Sequence, residues 1–180
     1  MAQTESQIIG NHANFVLDGT AFTVPSAGTA GRTSKPGATD TSWRYMGILQ
    51  DLSIQHNRES RDIFAPTPGS IRLYNRIETK RMLGVKFTAL EMSTTVWEHL
   101  FGSLQLATSG SSLQYNPLEG VTKRGWLKVQ QYGATDALVN TVDLYVHLAI
   151  TGEMSFNDQI VTAQFEATVL HSTLNTGTLS

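Results

Sequence analysis

Five histidines stand at positions 12, 56, 99, 147 and 171, too scattered for the His-x-His or His-Glu-x-x-His spacing that brings two imidazoles to one metal ion. A metal centre built on histidine pairs is not expected. Serine, histidine and aspartate all occur, yet no Gly-x-Ser-x-Gly sequence is present to form a strained nucleophile turn. His147 alternates with Asp143 and Tyr145, which places an imidazole, a carboxylate and a phenol on one strand face. Such a row could carry acid/base chemistry, but it equally describes a polar strand face, and we read it as the latter. Gly28-Thr29-Ala30-Gly31-Arg32-Thr33 lacks the Lys-Ser/Thr ending and the following helix of a phosphate-binding loop. The carboxylates Glu59 and Asp62 lie among Arg58 and Arg61, an arrangement that suits charge neutralisation or subunit salt bridges better than a catalytic pair. The sequence therefore indicates no enzyme, no cofactor and no metal.

The elements that carry these residues are strands. In residues 138–150 the apolar side chains Leu138, Val142, Leu144, Val146, Leu148 and Ile150 alternate with Thr141, Asp143, Tyr145 and His147. In residues 160–171 Val161, Ala163, Phe165, Ala167 and Val169 alternate with Thr162, Gln164, Glu166 and Thr168, and the intervening loop makes the two an expected antiparallel pair. Residues 71–89 read as a further antiparallel unit, 43–56 as a strand bulged near Gly47, and 126–132 as another strand. Asp18-Gly19 between two apolar runs predicts a tight hairpin. Only residues 93–101 change period, with Val96, Trp97, Leu100 and Phe101 on one helical stripe and Ser93 positioned to cap it.

The 180 residues fit one domain, 1–180, with an N-terminal arm at 1–12 and a loop at 25–41 long enough to be mobile. The expected fold is mainly β: an antiparallel sandwich or barrel with one short flanking helix and long loops. Cysteine is absent, which excludes disulfides and thiolate sites, and no apolar run approaches membrane-spanning length. Thirteen Lys+Arg against 15 Asp+Glu is the wrong balance for a protein that grips nucleic acid by its phosphates. Every basic residue falls between Arg32 and Lys128, so the C-terminal strands are purely acidic and the middle of the chain is locally basic. Opposite-sign surfaces of this kind can steer identical subunits into a head-to-tail contact.

The run from Gly47 to His56, then 61–69 with Pro66-Thr67-Pro68-Gly69, then 76–81 and 83–91, closing on Leu100-Phe101-Gly102, resembles the tail tube proteins of tailed bacteriophages. The resemblance covers roughly residues 43–103. It implies copies arranged in rings, six to a ring, that stack into a tube through which double-stranded DNA passes. The implied partners are the protein itself, tape-measure and tail-tip or terminator proteins, and a sheath where the tail is contractile. Localisation would be the virion, with synthesis in the host cytoplasm. Under this reading Arg58, Arg61, Asp62, Phe64, Arg72, Arg76, Arg32 and Lys35 serve subunit or ring contacts, and Asp143 and Glu166 face the lumen, where negative charge would keep DNA from sticking. The alternatives are a monomeric β-sandwich binding or adhesin module displaying residues 102–120, and an enzyme on a cupin-like scaffold.

Overall fold

The computed structural model describes residues 8–90, 122–133, 136–151, 155–156 and 161–179. Ten strands run in chain order: β1 Ile8–Leu17, β2 Ala21–Phe22, β3 Gly28–Thr29, β4 Arg44–Thr67, β5 Ser70–Ala89, β6 Thr122–Gly133, β7 Leu138–Ile150, β8 Ser155–Phe156, β9 Val161–Val169 and β10 Thr176–Leu179. Among the described residues there is no helix, and the expected helix at 93–101 lies outside them.

The main sheet is antiparallel throughout. β1 sits between β4 and β6, β4 pairs β5, β5 pairs β9, and β7 pairs both β6 and β9. The sheet thus closes on itself as a six-stranded barrel, satisfying backbone groups that an open sheet would leave at its margins. The alternation read from the sequence determines what fills it. Phe15, Met46, Val85, Phe87, Leu127, Val146, Leu148 and Phe165 all point inward and are buried, with the Phe87 and Phe165 rings stacked at 5.2 Å. A chain of amides, Asn140 to Gln131 to Asn11, continues the inward-facing rows of β7, β6 and β1 beyond this core.

The C-terminal pair agrees with the sequence, with Val146 to Ile150 of β7 registered against Phe165 to Val169 of β9. The strand bulged near Gly47 is also present, since its register against β1 slips at Ala13/Asn14 and Gly47 has φ of 102°. Other expectations are corrected. Residues 8–12 of the expected N-terminal arm belong to β1, because Asn11 and His12 join the ladder to β6. Asp18-Gly19 turns the chain but makes no hairpin: β2 leaves β1 to pair with β3, and the Asp18 carboxylate is engaged by the Tyr145 hydroxyl. Residues 70–89 form one unbroken strand whose partner precedes it, so Arg58 to Ile63 lie in mid-strand.

The segment at 25–41, expected to be mobile, is packed on the outer barrel wall as a strap. Phe22 and Ala30 bury with Val16, Trp126 and Tyr145 in a second apolar cluster outside the barrel. The indole N–H of Trp126 donates to the carbonyls of Gly31 and Ser34. Asp40 is buried and accepts the amides of Thr23, Val24 and Ser42 at 2.7 to 2.8 Å. These hydrogen bonds, led by Ser42 and followed by Thr23 and Val24, hold the Asp40 carboxyl far below the usual carboxylate range.

Candidate functional site

β4 loses its β1 neighbour after Ile48, and β5 gains its β9 neighbour only at Gly84. Between these points the two strands pair, among the described residues, only with each other, from His56 opposite Leu83 to Thr67 opposite Ser70. The result is a two-stranded arm projecting roughly 35–40 Å beyond the barrel. Its tip is closed by Pro68 and Gly69. Proline fixes φ at the first central position of the turn, and Gly69, with φ of 82°, takes the left-handed position at the second.

The described arm side chains from His56 through Met82 are exposed, apart from the half-buried Asp62 and Ala65. Alternation gives the arm two faces of different chemistry. The face continuous with the barrel interior carries Arg58, Ser60, Asp62, Phe64 and Pro66, registered against Arg81, Glu78, Arg76, Leu73 and Ile71. It begins as an ionic belt and ends as an apolar tip, where Phe64 is 59% exposed, Leu73 52% and Ile71 75%. The opposite face carries Glu59, Arg61, Ile63 and Ala65 against Lys80, Ile77, Asn75 and Arg72. Slips in register at Glu59/Ser60 and Ile63/Phe64 keep charged partners in line across the bulges.

Arg76 binds Asp62 through two nitrogens at 2.6 and 3.0 Å, Arg81 binds Glu78 at 2.8 Å, and Lys80 binds Glu59 at 3.2 Å. Hydrogen bonding to Arg76 lowers the Asp62 pKa, and hydrogen bonding to Arg81 lowers that of Glu78. All three arm carboxylates are thereby matched to a cation. Six arm cations against three anions leave a net charge of +3, and with the whole chain at -2 the remainder carries -5. The arm surplus corresponds to Arg58, Arg61 and Arg72.

The structure gathers six of the eight expected contact residues, Arg58, Arg61, Asp62, Phe64, Arg72 and Arg76, on this arm. The other two lie on the strap with partners inside the chain. Arg32 donates to the carbonyl of His171, and Lys35 binds Asp143 at 2.8 Å and the Thr176 hydroxyl at 3.2 Å. Asp143 is therefore covered by the strap, its side chain 13% exposed, and does not form a bare acidic surface. Glu166 stays on the outer wall, 3.7 Å from Lys86. His147 is exposed on the same strand face, while Asp143 is held by Lys35 and Tyr145 by Asp18.

Sequence reading missed the apolar tip beyond Phe64, although Ile71, Leu73 and Tyr74 were visible as an apolar cluster beside the Pro-Gly bend. It also missed a second exposed band on the outer wall. There His12 lies 5.5 Å from Tyr45 in an edge contact and 4.9 Å from Tyr132, with Ile48 and Leu138 exposed at the ends.

No protein-family model matches this sequence, and no curated protein does either. The chain is similar to a chain in the cryo-EM structure of the anti-feeding prophage baseplate, 6-fold symmetrised. The two share 10% sequence identity at a TM-score of 0.44, over 99% of this chain and 97% of the other.

Proposed function

We propose that this protein is a structural subunit of a phage-tail-type particle that assembles with copies of itself into rings, six to a ring, and stacks them into a tube that conducts double-stranded DNA. The observation that carries the reading is the arm. Seven large apolar side chains on it are exposed: Ile63, Phe64, Ile71, Leu73, Tyr74, Ile77 and Met82. A lone two-stranded ribbon in water is marginal, and an apolar surface of this extent marks an interaction site. Burying Phe64, Ile71 and Leu73 against a neighbour would contribute on the order of 4 kcal/mol before the cost of association.

The described part of the stretch 43–103 that resembles tail tube proteins spans β4 and β5, and so includes the arm, which among the described residues has no barrel strand beside it. Of the two lumen candidates, Glu166 is retained and Asp143 is assigned instead to anchoring the strap. Tape-measure and tail-tip proteins would be the remaining partners within the particle.

Negative-stain microscopy and light scattering of purified protein at high concentration test the reading. Rings or tubes are expected. A homogeneous monomer would end it and favour a binding module.

A further inference from the structure

We propose that the tip of one copy's arm seats on the aromatic band of the next copy, a contact that rests on the self-assembly reading above and names the two surfaces it uses. The tip presents Phe64, Pro66, Ile71 and Leu73 on one face. The band runs diagonally across four adjacent strands of the outer wall: Tyr45 and Ile48 on β4, His12 on β1, Tyr132 on β6 and Leu138 on β7. Tyr45 is 42% exposed, Ile48 41% and Leu138 37%. The strap covers Trp126 and Tyr145 further along the same wall and leaves the band open.

The same molecule cannot supply both halves of the contact. Tyr45 and Phe64 lie on one continuous strand, separated along it by roughly 60 Å. The β4–β5 ladder between them runs from Leu49 to Thr67, and a paired ribbon of that length does not fold back on its own barrel. The occupant of the band is therefore a second copy.

Charge favours the approach. Arg61 and Arg72 lie on the arm face opposite the apolar tip and belong to the surplus of arm cations. Asp51 and Asp136 are exposed, three residues after Ile48 and two before Leu138, so each end of the band has a carboxylate beside it. Apolar tip on aromatic band, with an arm of net charge +3 approaching a body of net charge -5, is a complementary match between two different surfaces. Such a contact is heterologous: each copy retains a free tip and a free band, and the assembly extends.

The absence of native cysteine makes a clean test possible. Phe64→Cys and Ile48→Cys are prepared as separate full-length proteins, mixed under reducing conditions, and oxidised after assembly. Cross-linked pairs joining position 64 of one copy to position 48 of another are expected in at least tenfold excess over pairs joining 64 to 64. A second measurement uses Phe64→Asp/Leu73→Asp and Leu138→Arg, each checked for native near-ultraviolet circular dichroism. Neither should assemble alone, and their mixture should recover the two-copy contact by sedimentation.

Dominant 64–64 products would overturn the proposal in favour of arm-to-arm docking. Wild-type assembly without any 64–48 product would also overturn it while leaving the self-assembly reading intact. A wild-type protein that never assembles would defeat that reading itself.

Discussion

The ammonium of Lys128 lies 3.8 Å from the centre of the Trp43 ring, so a lysine on the barrel wall is roofed by the indole that follows the strap and is hydrogen-bonded to it at Gly37. Lys128 is only 4% exposed, and its Nζ also donates to the carbonyl of Ala38. Burial pulls its pKa below the ordinary lysine value, while nearby Asp143 opposes that shift. A cation held out of water needs these partners, and the ring supplies one of the stronger ones. Replacing the ring should therefore release the strap. Trp43→Ala is expected to cost about 3 kcal/mol, read as a lower urea midpoint. Trp43→Phe keeps a ring but loses the indole hydrogen bond to Gly37, and should cost about 1 kcal/mol.

The Asp40 cage gives an acid-dependent stability. Its pKa in the folded chain lies below the ordinary value of 3.8, with hydrogen bonding to Ser42 as the leading cause. A group depressed on folding contributes its stability fully above the unfolded pKa and loses it as pH falls toward the folded one. The urea midpoint should hold steady down to about pH 4.5 and fall below it. Asp40→Asn, which cannot ionise, should flatten that part of the curve.

Tyr145 should titrate late. Burial first, and then the 2.5 Å hydrogen bond to Asp18, push its hydroxyl up to about 12 from the ordinary 10. A raised pKa means that this contribution is complete below about pH 10 and disappears as pH rises through 12. Absorbance titration at 295 nm should show one tyrosine ionising near pH 12 that is absent from Tyr145→Phe. That variant also leaves the Asp18 carboxylate short of a donor, at a cost of about 2 kcal/mol.

Gly125 on β6 sits close against the backbone of β1. A Cβ at this position would stand 2.0 Å from the carbonyl oxygen of Val16 and 2.8 Å from the Phe15 ring. Backbone cannot yield as a flexible side chain can, so Gly125→Ala should cost more than about 3 kcal/mol, seen as loss of soluble protein or a sharply lowered melting temperature.

Reversing the arm's surplus charge should separate assembly from folding. Arg61→Glu/Arg72→Glu changes two exposed side chains, so thermal unfolding of the monomer should move by no more than about 0.5 kcal/mol. Assembly should weaken, and the wild type should itself weaken as salt screens the same pairs. Equal assembly by variant and wild type at every ionic strength would remove the arginines from the contact.

The sequence by itself determined the strand faces, because a period of two places Leu144, Val146 and Leu148 on one side and Asp143, Tyr145 and His147 on the other whatever the strands pair with. It also located the arm's charges and the Pro68-Gly69 turn, which are local properties of the chain. Tertiary structure decided the partners. Whether Asp18-Gly19 makes a hairpin depends on what waits beyond the turn, and Ala30 and Tyr145 draw β2 away from β1. Composition made residues 25–41 resemble a mobile loop, but Lys128, Trp126 and Asp143, all about a hundred residues distant, hold them on the wall. The same long-range pairing turned Asp143 from a surface charge into an anchor. Closure of β7 onto β9 left the barrel no free margin around its core, and among the described residues the arm and the band stay exposed outside it. No local pattern encodes that outcome, since it follows from which distant strands share backbone hydrogen bonds.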